Sequence, residues 1–238
     1  MSDLVARVNE ENPNPRLACV LALDTSSSMN AQEGDQSRIE ALNDGFQLFC
    51  QEVAKDDVAC KRVEVAVITF DTSARVAIDF TEARDLHPRR FTADGSTSMG
   101  AALNLAADLL TRQKAAYKAA DLNYFRPWLF VITDGYPTDG EVFESAAQRI
   151  CEMEAANGVN VFAIGVGDSA EMNQLAKLSK TRVPLRLKGL SFKEFFLWLS
   201  RSMESASRSK EPSRDAEGNP TSHEQNALPP PGWGEASA

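Results

Sequence analysis

The chain has 238 residues, 43% of them hydrophobic, and a formal net charge of −9 at pH 7. That apolar share is enough for one sizeable core at this length. The acidic balance argues against nucleic acid, whose phosphates select clustered Lys and Arg. No apolar run approaches the roughly 20 residues of a membrane-spanning helix, so no membrane partner is expected.

Residues 1–15 are polar and acidic with a repeated Asn-Pro, unlike the basic start and apolar centre of a secretory signal. They read as a polar N-terminal extension of a cytoplasmic protein whose folded domain covers 16–204. Residues 17–24, Leu-Ala-Cys-Val-Leu-Ala-Leu-Asp, form a buried strand that ends abruptly in Asp24 and runs on into Thr25, Ser26, Ser27 and Ser28. A carboxylate and serine hydroxyls on one tight loop are hard oxygen donors, suited to Mg²⁺, Mn²⁺ or Ca²⁺. Ile39, Leu42, Phe46, Phe49, Cys50 and Val53 then keep helical spacing. Residues 63–70 are a second near-continuous apolar strand, typical of a parallel sheet covered on both faces. The more mixed residues 75–80 follow through the short turn at Asp71, Thr72 and Ser73, which predicts an antiparallel, half-exposed edge strand. His87-Pro88-Arg89-Arg90, the densest basic spot, reads as a solvated loop.

Gly95-Ser96-Thr97-Ser98-Met99-Gly100 places hydroxyls just before a helix carrying Leu103, Ala106, Ala107 and Leu110 on one face. The strand at 128–133 again ends in an acid, Asp134, followed by Gly135. A helix with Val142, Ala146, Ile150 and Met153 inward, a strand at 159–166, a weaker strand at 183–187 and a helix striped by Phe192, Phe195, Phe196, Leu199 and Met203 complete the pattern. From 205 to 238 apolar periodicity is lost, the composition of a disordered tail; its Pro229-Pro230-Pro231-Gly232-Trp233 also has the form of a polyproline recognition motif. Alternating strands and helices predict an α/β fold with a doubly wound, mostly parallel sheet, one antiparallel edge strand and helices on both faces. If the strands ending at Asp24 and Asp134 are neighbours where strand order reverses, their carboxylates share one crevice.

Cys19, Cys50, Cys60 and Cys151 have no zinc-type spacing and read as reduced thiols; a Cys50–Cys60 disulfide is the minor alternative. Enzymatic signatures fail at particular residues. Gly95–Gly100 lacks the lysine of a P-loop, since Ala101 follows. Gly165-Val166-Gly167 comes at a late strand and reads as a turn. His87 and His223 are the only histidines, one in a loop and one in the tail, which disfavours a Ser/His/Asp triad.

Asp24-Thr25-Ser26-Ser27-Ser28, the Thr97 loop and Thr133-Asp134-Gly135 resemble the metal-ion-dependent adhesion site of the von Willebrand factor A domain, over about Leu17 to Met203. Within that superfamily Ile68-Thr69-Phe70-Asp71, the Gly95–Gly100 loop, Ile132–Asp139 and Phe162–Gly167 are most similar to the bacterial tellurite-resistance TerY-like branch. The resemblance implies hydroxyl ligands at Ser26, Ser28 and Thr97, with Asp24 and Asp134 bound directly or through water. It also implies a divalent cation, Mg²⁺ first and Mn²⁺ or Ca²⁺ as alternatives, and a protein partner that supplies an Asp or Glu carboxylate to the metal. The branch implies a role in tellurite or chemical-stress response, with a protein kinase and a metal-dependent protein phosphatase as partners. The expected function is a non-enzymatic, metal-dependent interaction module; a hydrolase or phosphotransferase using the same ion is the alternative.

Overall fold

The computed structural model describes residues 8–209 together with the backbone of 234–236. Strand β1 (Leu17–Asp24) runs through a 3-10 turn at Ser27–Asn30 into a two-residue hairpin, β2 (Gln32–Glu33) and β3 (Gln36–Ser37), which opens onto helix α1 (Arg38–Lys55). There follow α2 (Ala59–Arg62), β4 (Val63–Phe70), β5 (Ala74–Glu82), α3 (Met99–Ala119), β6 (Trp128–Thr133), α4 (Gly140–Ala155), β7 (Asn160–Val166), α5 (Met172–Leu175), β8 (Leu185–Leu187), α6 (Phe192–Arg208) and β9 (Gly234–Ala236). The main sheet has the order β5-β4-β1-β6-β7-β8-β9. β4, β1, β6, β7 and β8 are parallel, and β5 closes one edge antiparallel to β4. This is the expected doubly wound sheet. The short β9, antiparallel to β8 at the other edge, is an addition within the stretch expected to be a tail.

All eight residues of β1 are buried because each of its faces meets a helical layer. Leu17, Cys19, Leu21 and Leu23 enter the core formed with α1 and α6, whereas Ala18, Val20 and Ala22 enter the one formed with α3 and α4. The first core is aromatic: Phe130 stacks on Phe162 at 4.5 Å, and Phe196 meets Phe46 and Phe49 at 6.1 and 5.7 Å. α1 starts on a capping box in which the Ser37 hydroxyl accepts from Glu40 N–H and the Glu40 carboxylate accepts from Ser37 N–H. The same cap fixes where Arg38 begins the helix.

The stretch expected as a polar extension is tied down from Asn9 onward. Arg16 is fully buried, pairs with Glu64 at 2.9 Å, and donates to the carbonyls of Asn12 and Asn9 at 2.6 and 3.0 Å. Burial pushes the Glu64 carboxyl up, opposed by hydrogen bonds from Tyr117, Gln113 and Arg16 and by the Arg16 charge. Asn12 donates to the Lys61 carbonyl and to Glu82. A buried guanidinium that gathers backbone carbonyls thus turns a polar segment into part of the fold.

Three further boundaries and one helix face differ from the sequence reading. The last parallel strand begins at Leu185, not Val183, which is 60% exposed, because Pro184 has no N–H for the ladder. In α4 the inward stripe is Phe143, Ala146, Ala147 and Ile150, leaving Val142 at 44% exposure. α6 continues past residue 204 to Arg208, which pairs with Asp56, and Ala206 is buried. β7 starts one residue later than predicted, at Asn160. Residues 210–233, with the proline-rich motif, lie outside the described residues. The four cysteines are free thiols, and burial pushes that of Cys50 up to about 12. Among the described residues no helix is long and apolar enough to cross a membrane.

Candidate metal centre

β1 and β6 lie side by side, with Leu23 opposite Ile132, and from them the chain winds outward in opposite directions, to β4 and to β7. Strand order therefore reverses between them, and a crevice opens beyond their C-terminal ends. Into it come the loop after β1, the loop after β6 and the turn leading into α3. The five residues singled out by sequence come together there. Asp24, Ser26, Thr97 and Asp134 are buried at the crevice floor, and Ser28 is exposed at its mouth.

The oxygens form a connected set. Asp24 Oδ1 accepts from Ser26 N–H at 2.8 Å, and its Oδ2 accepts from the Thr133 hydroxyl. Ser26 Oγ lies 3.0 Å from Ser28 Oγ, which donates to Asp134 Oδ1 at 2.6 Å. Thr97 is held by its backbone: its N–H donates to Thr138 Oγ1 at 3.1 Å and its carbonyl accepts from Thr138 N–H at 2.9 Å. The loops are laced together by Ser27 N–H to the Gly95 carbonyl, 3.0 Å, and Asp94 N–H to the Thr25 carbonyl, 2.9 Å. Thr97 Oγ1 donates to no described residue and lies on the Gly135 side of the crevice. A Cβ at Gly135 would stand 3.1 Å from that oxygen and 3.7 Å from Asp24 Oδ2, so glycine is what keeps the gap between them open.

Burial raises the Asp24 carboxyl from 3.8 to about 6, with the neighbouring Asp134 charge adding to the shift and the hydrogen bonds from Ser26 and Thr133 opposing it. Two buried carboxylates share a floor that a cation would neutralise. The donor set fits a hard divalent ion. Adjacent ligands of an octahedral ion with bonds of 2.0–2.1 Å stand about 2.9 Å apart, close to the 3.0 Å between the two serine hydroxyls. Among the described residues no three His, Cys, Asp or Glu side chains cluster for a metal, at this crevice or away from it; the donors here are two carboxylates and three hydroxyls.

Two participants were not among the expected ligands. Thr133, read as the end of a strand and part of Thr133-Asp134-Gly135, fixes Asp24. Arg38, the first residue of α1, places Nη1 2.6 Å from Asp134 Oδ2 and Nε 2.7 Å from Glu33 Oε1. Asp139 and Asp71, on the neighbouring loops, serve the backbone. Asp139 accepts from Gly100 and Ala101 N–H at 3.1 and 2.9 Å, capping α3 from another loop, while Asp71 accepts from Ser73 N–H and pairs with Arg75.

The family model of the von Willebrand factor type A domain matches residues 19–187. No curated protein matches the sequence. Among solved structures, a von Willebrand factor type A protein from Catenulispora acidiphila superposes with a TM-score of 0.61 at 17% identity, covering 80% of this chain and 43% of that one. BatB, a conserved hypothetical protein from Bacteroides thetaiotaomicron, gives 0.52 at 20% identity, covering 81% and 100%. Proximal thread matrix protein 1 from the mussel byssus, whose MIDAS motif is occupied by zinc, gives 0.54 at 16% identity, covering 80% and 48%. The chain thus spans less than half the length of the first and third, and at these identities the likeness is one of fold.

Proposed function

Because the chain belongs to the von Willebrand factor type A domain family, we propose that Asp24, Ser26, Ser28, Thr97 and Asp134 hold a divalent cation, Mg²⁺ in the first instance, and that a protein partner completes its shell with an Asp or Glu carboxylate. The observation that carries this reading is the convergence of three hydroxyls and two carboxylates from three loops on the gap beside Gly135. Five protein donors leave one position of an octahedral shell open, and an anionic oxygen placed there is held directionally. The zinc-occupied motif of the mussel protein supports a divalent ion in this fold.

A binding role suits the way the carboxylates are used. Asp24 accepts from Ser26 and Thr133, and Asp134 from Ser28 and Arg38, so both carboxylates are fixed among the loops that carry the other donors. The finer placement rests on the sequence motifs: a TerY-like, cytoplasmic module of a tellurite or chemical-stress system, working with a protein kinase and a metal-dependent protein phosphatase.

The test is affinity capture from a native extract with wild-type bait in Mg²⁺, wild-type bait in chelator, and folded Asp24→Ala bait. A partner recovered only by the wild type with Mg²⁺ is the expected result. Equal recovery in all three overturns it, as does Asp24-dependent turnover of a phosphoester by the purified protein.

A further inference from the structure

Arg38 occupies a built position. Its guanidinium lies between Asp134 and Glu33, with the Ser169 hydroxyl at 3.4 Å from Nη1, and its side chain is only 11% exposed. Its own N–H is fixed on the Ala31 carbonyl at 3.1 Å. Room for it exists because residue 167 is glycine at φ +71°, where a Cβ would stand 2.4 Å from Arg38 Nη2. The start of α1, the β2–β3 hairpin and the loops after β6 and β7 therefore set a positive charge against a carboxylate of the metal gap. Asp134 has one oxygen on Arg38 and the other on Ser28.

We infer that Arg38 is a fixed cation competing with the metal for Asp134, so that it keeps the ligand-free site a weak metal binder, with Glu33 as the counter-charge that limits the effect. This rests on the metal-binding reading above. Like charges sharing one carboxylate in a poorly solvated crevice repel more strongly than they would in water. Deleting Arg38's charge should therefore tighten metal binding, whereas deleting Glu33's should weaken it. A residue that only oriented Asp134 would give the opposite sign at Arg38, because loss of an orienting partner costs metal affinity.

The experiment titrates Mg²⁺ calorimetrically into the metal-stripped full chain, comparing wild type with Arg38→Met, which removes the charge, Arg38→Lys, which keeps it, and Glu33→Gln, which still accepts from Arg38 Nε. Circular dichroism checks that each variant is folded. Expected are Mg²⁺ affinity at least about tenfold tighter for Arg38→Met, within about threefold of wild type for Arg38→Lys, and weaker for Glu33→Gln. Arg38→Met at or below wild-type affinity overturns the inference; should that variant not fold, Glu33→Gln at or above wild-type affinity does so. A wild type with no saturable Mg²⁺ site overturns the metal-binding reading itself, and the inference with it.

Discussion

Replacing Asp24 with Asn should make the metal-free protein more stable while removing its response to metal. Asp24 is fully buried, and its carboxyl is raised from 3.8 to about 6, chiefly by burial. Between those values the folded state binds more protons than the unfolded chain, so stability contributed by this group falls as pH rises from 3.8 to 6 and stays low above that. At one pKa unit per 1.36 kcal/mol, the cost at neutral pH is on the order of 3 kcal/mol. Asn removes the charge but not all the cost. It keeps an acceptor for Ser26 N–H, yet its amide must donate to Thr133 Oγ1, which already accepts from Gly135 N–H at 3.1 Å and now donates to Asp24. The Thr133 proton then loses its partner, and the net gain should be roughly 1–2 kcal/mol. For a domain of this size that corresponds to a rise of about 2–8 °C in Tm. The assay is thermal unfolding in chelator at pH 7.5 and pH 5.0, and again at pH 7.5 with Mg²⁺. Asp24→Asn should unfold at higher temperature than wild type in chelator at pH 7.5, by less at pH 5.0, and should not respond to Mg²⁺. A variant less stable than wild type at pH 7.5, or a difference that acid does not shrink, would refute the reasoning.

Thr97→Val keeps shape and removes only a hydroxyl with no described partner, so its urea-unfolding free energy should stay within about 0.5 kcal/mol of wild type. Arg16→Met leaves Glu64 buried without its counter-charge and several carbonyls without a donor; the loss should be about 3–5 kcal/mol by urea denaturation, and a loss below 1 kcal/mol would mean the network is not holding the N-terminal segment. Phe196→Ala, at the contact of α1 and α6, should cost about 3–5 kcal/mol in the same assay, with an unchanged m-value if the remaining core is intact.

The strands that carry the site were legible because their apolar runs end sharply: β1, β4 and β6 begin and end where the composition changes, with Asp24 closing β1 and Asp134 directly after β6. The five proposed donors stand on or beside the loops that follow those ends, where hydroxyls cluster in the sequence. What escaped was set by tertiary packing. Nothing near Arg38 in the sequence points to Asp134, 96 residues away, and nothing near Asp139 announces that it caps a helix starting 40 residues earlier. The acidic, Asn-rich start reads as a loose extension because its partner, the buried Arg16, satisfies backbone carbonyls rather than side chains with a pattern of their own. The position of α4's stripe was off by one residue at Val142, since Val142 and Phe143 are both apolar and only packing chooses between them.

The central claim is that three hydroxyls and two carboxylates at this crevice hold a divalent ion. Its most direct test is calorimetric titration of Mg²⁺ and Mn²⁺ into the metal-stripped full chain beside Thr97→Val, whose fold should be intact. The account predicts one saturable site per chain in the wild type, lost in Thr97→Val. No saturable site, or one that Thr97→Val leaves unchanged, would contradict it.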